Sequence, residues 1–253
     1  MFRPRVIPVL LLKDRGLVKT VKFRQPRYLG DPINAVRIFN ELNTDELVFL
    51  DIQASKQFRP ISVDLVRNIG DEAFMPFAVG GGIRSNDEIK KLLNAGAEKV
   101  VINSFAFEDE NFIKSASETF GSSAIIVSID LYKNIFGQYR VYTYSGTKKL
   151  SKDPCEFAEI LEGKGAGEIL LTSVNRDGTM VGYDVDLTKR ISSSVGIPVI
   201  ACGGAGELKH LNEVVKHGGA SAAAAGSLFV YHGRRKAFLI NYPQTAELNR
   251  IFV

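Results

Sequence analysis

Two apolar runs in this chain end differently at places where one chemistry would be expected. "AIIVSIDLYKN", from Ala124, ends in a carboxylate, Asp130. "RVIPVLLLKDRG", from Arg5, carries Leu11 at the matching place. A carboxylate closing a buried β run is a candidate general acid or base. Its competing meaning is a helix cap or a solvated loop residue. Leucine can neither exchange a proton nor accept a hydrogen bond. Two glycine-rich turns add a second chemistry. "VGGGIRS" and "CGGAGE" each follow an apolar run, and glycines there let backbone N–H groups approach an anion. "INSFAF" and "AAGSLFV" can each start a short helix facing the same anion. The expected phosphate sites are Gly81, Gly82, Asn103 and Ser104, and then Gly203, Gly204, Gly226 and Ser227. Glycines also serve tight turns. The two sites together imply a long ligand with a phosphate at each end.

These residues sit between short β runs and amphipathic segments that alternate along the chain. Strands are expected at Val6–Leu12, Leu47–Asp51, Phe77–Gly80, Lys99–Asn103, Ala124–Asp130, Ile169–Ser173, Val199–Cys202 and Ala220–Ala225. They are nearly continuous in apolar residues, as in parallel strands covered on both faces. "SNDEIKKLLNAG" reads as a helix capped by Ser85 with Glu88 three residues on, and ended by Gly96. Eight such units suit a (β/α)8 TIM barrel; an open doubly wound sheet shares the alternation. An internal repeat favours the barrel. Glu46 and Glu168, Pro76 and Pro198, Gly81-Gly82 and Gly203-Gly204, and Gly96 and Gly218 all stand 122 residues apart. A single barrel over 1–253 is expected, built of two similar half-barrels, about 1–120 and 121–253. The first strand of each half aligns with an offset of 119, which places Leu11 opposite Asp130. The extra residues fall after Asp130, where "GQYRVYTYSG" reads as an added hairpin.

The bulk properties narrow the function classes. The net charge is +4, and the lysines and arginines are spread along the chain, so no nucleic-acid stripe is present. Small phosphorylated anions suit this balance. No apolar run approaches a membrane span and no secretory signal is visible. Two cysteines make no disulfide framework, and a cytoplasmic location is expected. No cofactor is expected. Metal catalysis has no support either, since His210, His217 and His232 lack ligand spacing and read as surface residues. Cys202 reads as a small packed residue rather than a nucleophile.

"ELVFLDIQAS", "PFAVGGGI", "GAEKVVIN", "TFGSSAIIVSID", "YTYSG", "GAGEILLTSVNRDGT" and "IACGGAG" together resemble the cyclase subunit of imidazole glycerol phosphate synthase, over nearly the whole chain. The resemblance implies a (β/α)8 barrel paired with a glutaminase. Ammonia would pass along the barrel axis and be used to cleave and cyclise a two-phosphate ribosyl substrate in histidine biosynthesis. It assigns Asp130 as one of two catalytic aspartates, and Lys19, in the loop after strand one, as a substrate contact. Asp51 and Asp177 would also line the mouth. Arg5, Glu46, Lys99 and Glu168 open strands one, two, four and six. Their ordinary meaning at that face is a stabilising salt-bridge cluster; the resemblance makes them the ammonia gate.

Leu11 stands where the family's second catalytic aspartate belongs, with Lys13 and Asp14 following in register. "RGLVKT" also departs from the family's loop, which bears on the closing lid. "RVIPVLLLKDRGLVKTVKFRQPRYLGDPINAVRIFNE" resembles a side branch, the cyclase-like proteins associated with glycosyl amidation. That resemblance implies ammonia channelled to an N-acetyl-sugar amidotransferase, forming acetamidino sugars in surface-glycan biosynthesis. The alternative is an authentic lyase–cyclase of histidine biosynthesis. A sister barrel isomerase shares the repeat and the phosphate loops and acts without a glutaminase. It too wants an acid–base residue at the first strand end, so Leu11 counts against it, and the four-residue charged ring is unneeded.

Overall fold

Alternation along each strand builds the molecule. The computed structural model describes residues 3–150, 152–233 and 237–252. In β1 (Arg5–Lys13), Ile7 and Val9 face one apolar cluster, while Val6, Leu10 and Leu12 face another. The first cluster fills the barrel interior and the second lies under the outer helices. Both faces are therefore dry, which explains the continuous apolar runs. The other barrel strands are β2 (Leu47–Asp51), β3 (Phe77–Gly80), β4 (Lys99–Ile102), β5 (Ile125–Lys133), β6 (Glu168–Ser173), β7 (Val199–Cys202) and β8 (Ala222–Ala225). Each pairs in parallel with the next, and β8 returns to β1 through Arg5↔Ala222 and Ile7↔Ala224. The sheet closes on itself as a (β/α)8 barrel, so the open-sheet alternative falls. The expected strands agree within a few residues at each end.

Among the described residues, eight longer helices cover the sheet: α1 (Pro32–Glu41), α2 (Val63–Glu72), α3 (Asn86–Asn94), α4 (Asn111–Phe120), α5 (Pro154–Gly163), α6 (Val185–Ser192), α7 (Leu208–Lys216) and α8 (Thr245–Ile251). Short helices follow β4 at Ser104–Glu108 and β8 at Ser227–Val230. The start of α3 is the capping box that the sequence announces. Glu88 N–H donates to Ser85 Oγ at 3.3 Å, and the Glu88 carboxylate accepts from Ser85 N–H at 3.2 Å. Such a cap contributes about 1 kcal/mol. Gly96 follows with φ +107°, and a side chain there would press on the Cα of Gly70 at 3.1 Å. Among the described residues, no helix is long and apolar enough to cross a membrane.

Two hairpins roof the C-terminal end of the barrel. One follows β5: Tyr139–Thr143 pairs with it antiparallel, then with Lys148–Leu150, as "GQYRVYTYSG" announces. The other corrects the sequence reading. Residues after β1 are not an open loop. Gly16–Val21 and Arg24–Gly30 form a hairpin continuing β1, with Leu11 opposite Val18. Its turns are Asp14-Arg15 and Lys22-Phe23, all four at positive φ. Type I′ turns of this kind normally announce themselves by Asn-Gly or Asp-Gly, and neither dipeptide is present here. The two hairpins touch where Phe23 packs on Gly146; a side chain at Gly146 would lie 3.1 Å from the ring.

Candidate active site at the barrel mouth

Period-two geometry carries inward-facing residues from the bottom of the barrel to its top. Above Arg5 come Ile7, Val9 and then Leu11; above Glu168 come Leu170 and Thr172; above Lys99 come Val101 and Asn103. Ile126, Ser128 and Asp130 form the same column on β5. The columns end in a cavity of about 360 Å³ under the two hairpins. All twelve residues expected around the mouth line it: Asp130, Lys19, Asp51, Asp177 and the eight of the two phosphate cradles. Leu11 lines it too. Since β1 and β5 stand four strands apart in either direction around the closed sheet, Leu11 faces Asp130 across the mouth.

Asp130 is buried at the mouth, 8% exposed. Burial pushes its carboxyl up to about 7. Hydrogen bonds from Ser128, Thr172 and Asn103 work against that rise, and the Asp177 charge adds to it. Asn103 Nδ2 donates to Oδ2 at 3.1 Å and Ser128 Oγ to Oδ1 at 3.3 Å. An acid titrating near neutrality suits general acid–base work. It also carries a stability cost of definite sign. Between about pH 4 and pH 7 the unfolded chain's carboxyl is ionised while the native one stays protonated. The native state binds more protons there, so this group's contribution falls as pH rises through that window. Asp130→Asn removes the effect. Relative to wild type, the variant should gain roughly 2–4 kcal/mol between pH 4 and pH 8. Urea denaturation at both pH values measures the difference, and a constant difference would refute the perturbed carboxyl.

Asp177 and Asp51 already have partners. Asp177 accepts from Lys19 Nζ at 2.9 Å, Thr20 Oγ1 at 3.1 Å and Phe23 N–H at 3.5 Å, and its carbonyl accepts from Lys22 N–H at 2.9 Å. It thereby latches the first hairpin over the mouth. Lys19, expected in a loop, sits on a hairpin strand and is 6% exposed. Asp51 accepts from Gln53 and Ala54 N–H groups at 2.9 and 3.2 Å, and pairs with Arg59 at 2.7 Å. Its carboxylate shapes the turn after β2. Asp14, three residues past Leu11, is exposed and lies outside this cavity, so its carboxylate does not stand in for one at the Leu11 position.

The cradles share a backbone and differ in their hydroxyls. Gly81, Gly82, Gly203 and Gly204 all have positive φ. A side chain at Gly82 or Gly204 would meet a neighbouring carbonyl oxygen at 1.9 or 2.1 Å. The chain's own packing therefore requires these glycines, and their identity alone does not specify an anion. The serines say more. Ser104 Oγ is engaged, accepting from Tyr144 N–H at 2.9 Å and donating to Asn103 Oδ1 at 3.2 Å. Ser227 Oγ is buried and has no partner among the described residues. Beside it, the Lys19 stem lies against Gly226, where an added Cβ would meet Cε at 3.1 Å. A buried hydroxyl with no partner among the described residues, beside the stem of a lysine that also reaches Asp177, suits a phosphate oxygen.

At the opposite end, four charges form a closed ring. Arg5 donates to Glu46 at 2.5 Å and to Glu168 at 2.9 Å; Lys99 donates to the other oxygens of the same carboxylates at 3.3 and 3.0 Å. Between ring and mouth the axis is apolar, lined by Ile7, Val48, Ala78, Leu170, Ala222 and Ala224.

Cys202 lies at the mouth, and burial pushes its thiol to about 12, which removes it as a thiolate nucleophile. His217 and His232 are exposed. His210 is not the surface residue expected: it shares the buried face of α7 with Leu211 and Val214. Ser128, Thr172 and Tyr144 went unassigned in the sequence. The first two were legible as inward positions of their strands, and Tyr144 was not, because its contact comes from a hairpin folded across the mouth.

The family described as histidine biosynthesis protein matches residues 5–236. A Pseudomonas aeruginosa protein, provisionally named imidazole glycerol phosphate synthase subunit hisF2, is 47% identical over 98% of this chain and 99% of its own length. A Leptospira borgpetersenii protein, provisionally named subunit HisF of the same synthase, is 44% identical over the full length of both. A Vibrio vulnificus protein, provisionally named subunit hisF3, is 44% identical over 98% of this chain and 95% of its own. The closed barrel, the mouth that gathers its polar residues and these full-length matches lead to one placement: the chain belongs to the histidine biosynthesis protein family, as a barrel homologous to the HisF subunit of imidazole glycerol phosphate synthase.

Proposed function

We propose that this chain is the synthase subunit of a glutamine amidotransferase complex of the imidazole glycerol phosphate synthase type. A glutaminase docked on the N-terminal face supplies ammonia. The ring of Arg5, Glu46, Lys99 and Glu168 admits it, and the apolar axis conducts it to the mouth. There the two cradles hold a phosphate-bearing substrate, and Asp130 exchanges protons during C–N cleavage and ring closure. The observation that carries this reading is the joint placement of a closed charged ring and a phosphate-suited cavity at the two ends of one apolar axis. The names of the relatives favour the lyase–cyclase of histidine biosynthesis.

Leu11 favours a second use of the same ammonia. With no acid–base group opposite Asp130, the barrel serves as a conduit to an N-acetyl-sugar amidotransferase in surface-glycan biosynthesis. One experiment separates the two. Purified protein is given the two-phosphate ribosyl substrate and excess ammonium salt, which bypasses the glutaminase. Turnover that disappears in Asp130→Asn supports the cyclase. No turnover from folded protein, beside an active control cyclase, overturns it and leaves the conduit.

A further inference from the structure

We infer that His210 is a positioning residue for the second anion cradle. The inference rests on the reading that Gly203, Gly204, Gly226 and Ser227 hold a phosphate. His210 is 9% exposed, on the first turn of α7, with its ring turned toward the glycine loop. Gly206 N–H donates to Nδ1 at 3.2 Å. Nδ1 is therefore an acceptor, and the ring proton resides on Nε2. The ring's other edge borders Gly182, where an added Cβ would lie 3.4 Å from Cδ2 and 3.5 Å from Nε2. Gly182 N–H in turn donates to Gly204 O at 2.8 Å.

One imidazole thus braces the cradle loop at two places. It holds Gly206 directly and supports Gly204 through Gly182. The loop needs such a brace. Gly203 and Gly204 sit at φ +92° and +115°, and glycine has more conformations to lose than any other residue. A loop that must be ordered at the moment of binding gives up affinity; one held beforehand does not. No equivalent histidine stands behind the first cradle. There Arg84 N–H donates to the Glu88 carboxylate at 2.7 Å, and Tyr144 caps Ser104.

The test titrates inorganic phosphate into protein labelled with 15N-glycine. Gly203, Gly204 and Gly226 report the second cradle, and Gly81 and Gly82 the first. His210→Leu should weaken phosphate binding at the second cradle by about tenfold and leave the first unchanged. His210→Asn places an amide oxygen near the Nδ1 position and should restore binding to within about threefold. His210→Gln keeps size and polarity but moves the acceptor outward, and should bind weakly like the leucine variant. A loss shared equally by both cradles would mark a general structural role and overturn the inference. So would wild-type affinity in both His210→Leu and His210→Gln. If the wild type itself shows no response at Gly203, Gly204 and Gly226, the cradle reading fails first and the brace falls with it.

Discussion

Leu11→Asp is expected to raise ammonium-dependent turnover of the two-phosphate substrate by about 10²-fold, the lower end of what one general acid–base group supplies. The position is suited to the change. Leu11 lines the mouth cavity and is only partly buried, so a carboxylate there is solvated. It stands across the barrel from Asp130, where one group can take a proton while the other gives one. Asp130 already titrates near 7, because burial opposes its charge. A second carboxylate in the same mouth disfavours its ionisation further, so the pair would titrate in two steps. The pH–rate profile of the variant should therefore be bell-shaped. A folded Leu11→Asp protein with unchanged turnover would show that the loss of chemistry lies elsewhere, with the latched first hairpin as the next suspect.

Glu46→Gln at the bottom ring should destabilise the protein by about 2–4 kcal/mol. Glu46 is 4% exposed on its side chain and accepts from both Arg5 and Lys99. The variant leaves two cations sharing Glu168, and the buried Glu46 position admits little solvent to replace the lost charge, although Arg5 is itself partly exposed. Asp64→Asn serves as the comparison. Its pair with Arg67 is well exposed on both sides, and its loss should cost less than about 1 kcal/mol. Urea denaturation of both variants reads the contrast; equal effects would mean that the ring is solvated in solution. A second readout concerns ammonia. In complex with a glutaminase, Glu46→Gln should lower glutamine-dependent turnover while sparing turnover with ammonium salt.

Much of the barrel is legible in the sequence because its signals are local and repeated. The continuous apolar runs, the Ser85–Glu88 cap, Gly96 and the constant offset between Glu46 and Phe107 and their counterparts all report on chain geometry within a few residues. Strand period then extends this reading to the site. Once Arg5, Lys99 and Glu168 open their strands, Leu11, Asn103 and Thr172 follow on the inner face. The first hairpin was hidden because its turns, Asp14-Arg15 and Lys22-Phe23, adopt positive φ without the usual residues. Tertiary contacts hold them instead: Gln53 Oε1 accepts from Asp14 N–H, and Asp177 accepts from the Lys22 and Phe23 N–H groups.

Residue order alone specified the eight strand–helix units, the two-half repeat that favours a barrel, the four charges at strand starts and the glycine turns and aspartate at strand ends. Each follows from backbone period, from the repeat and from what a dry strand accepts. Closure of the sheet was decided by the β8–β1 pairing. Only the tertiary structure decided how those residues are spent. It committed Asp177 and Asp51 to holding turns, bonded Ser104 to a hairpin from another strand, left Ser227 without a partner among the described residues and put His210 behind a loop. Hydrogen-bond partners are set by segments that meet in space, and the order of residues along one strand does not name the segment that will fold across it.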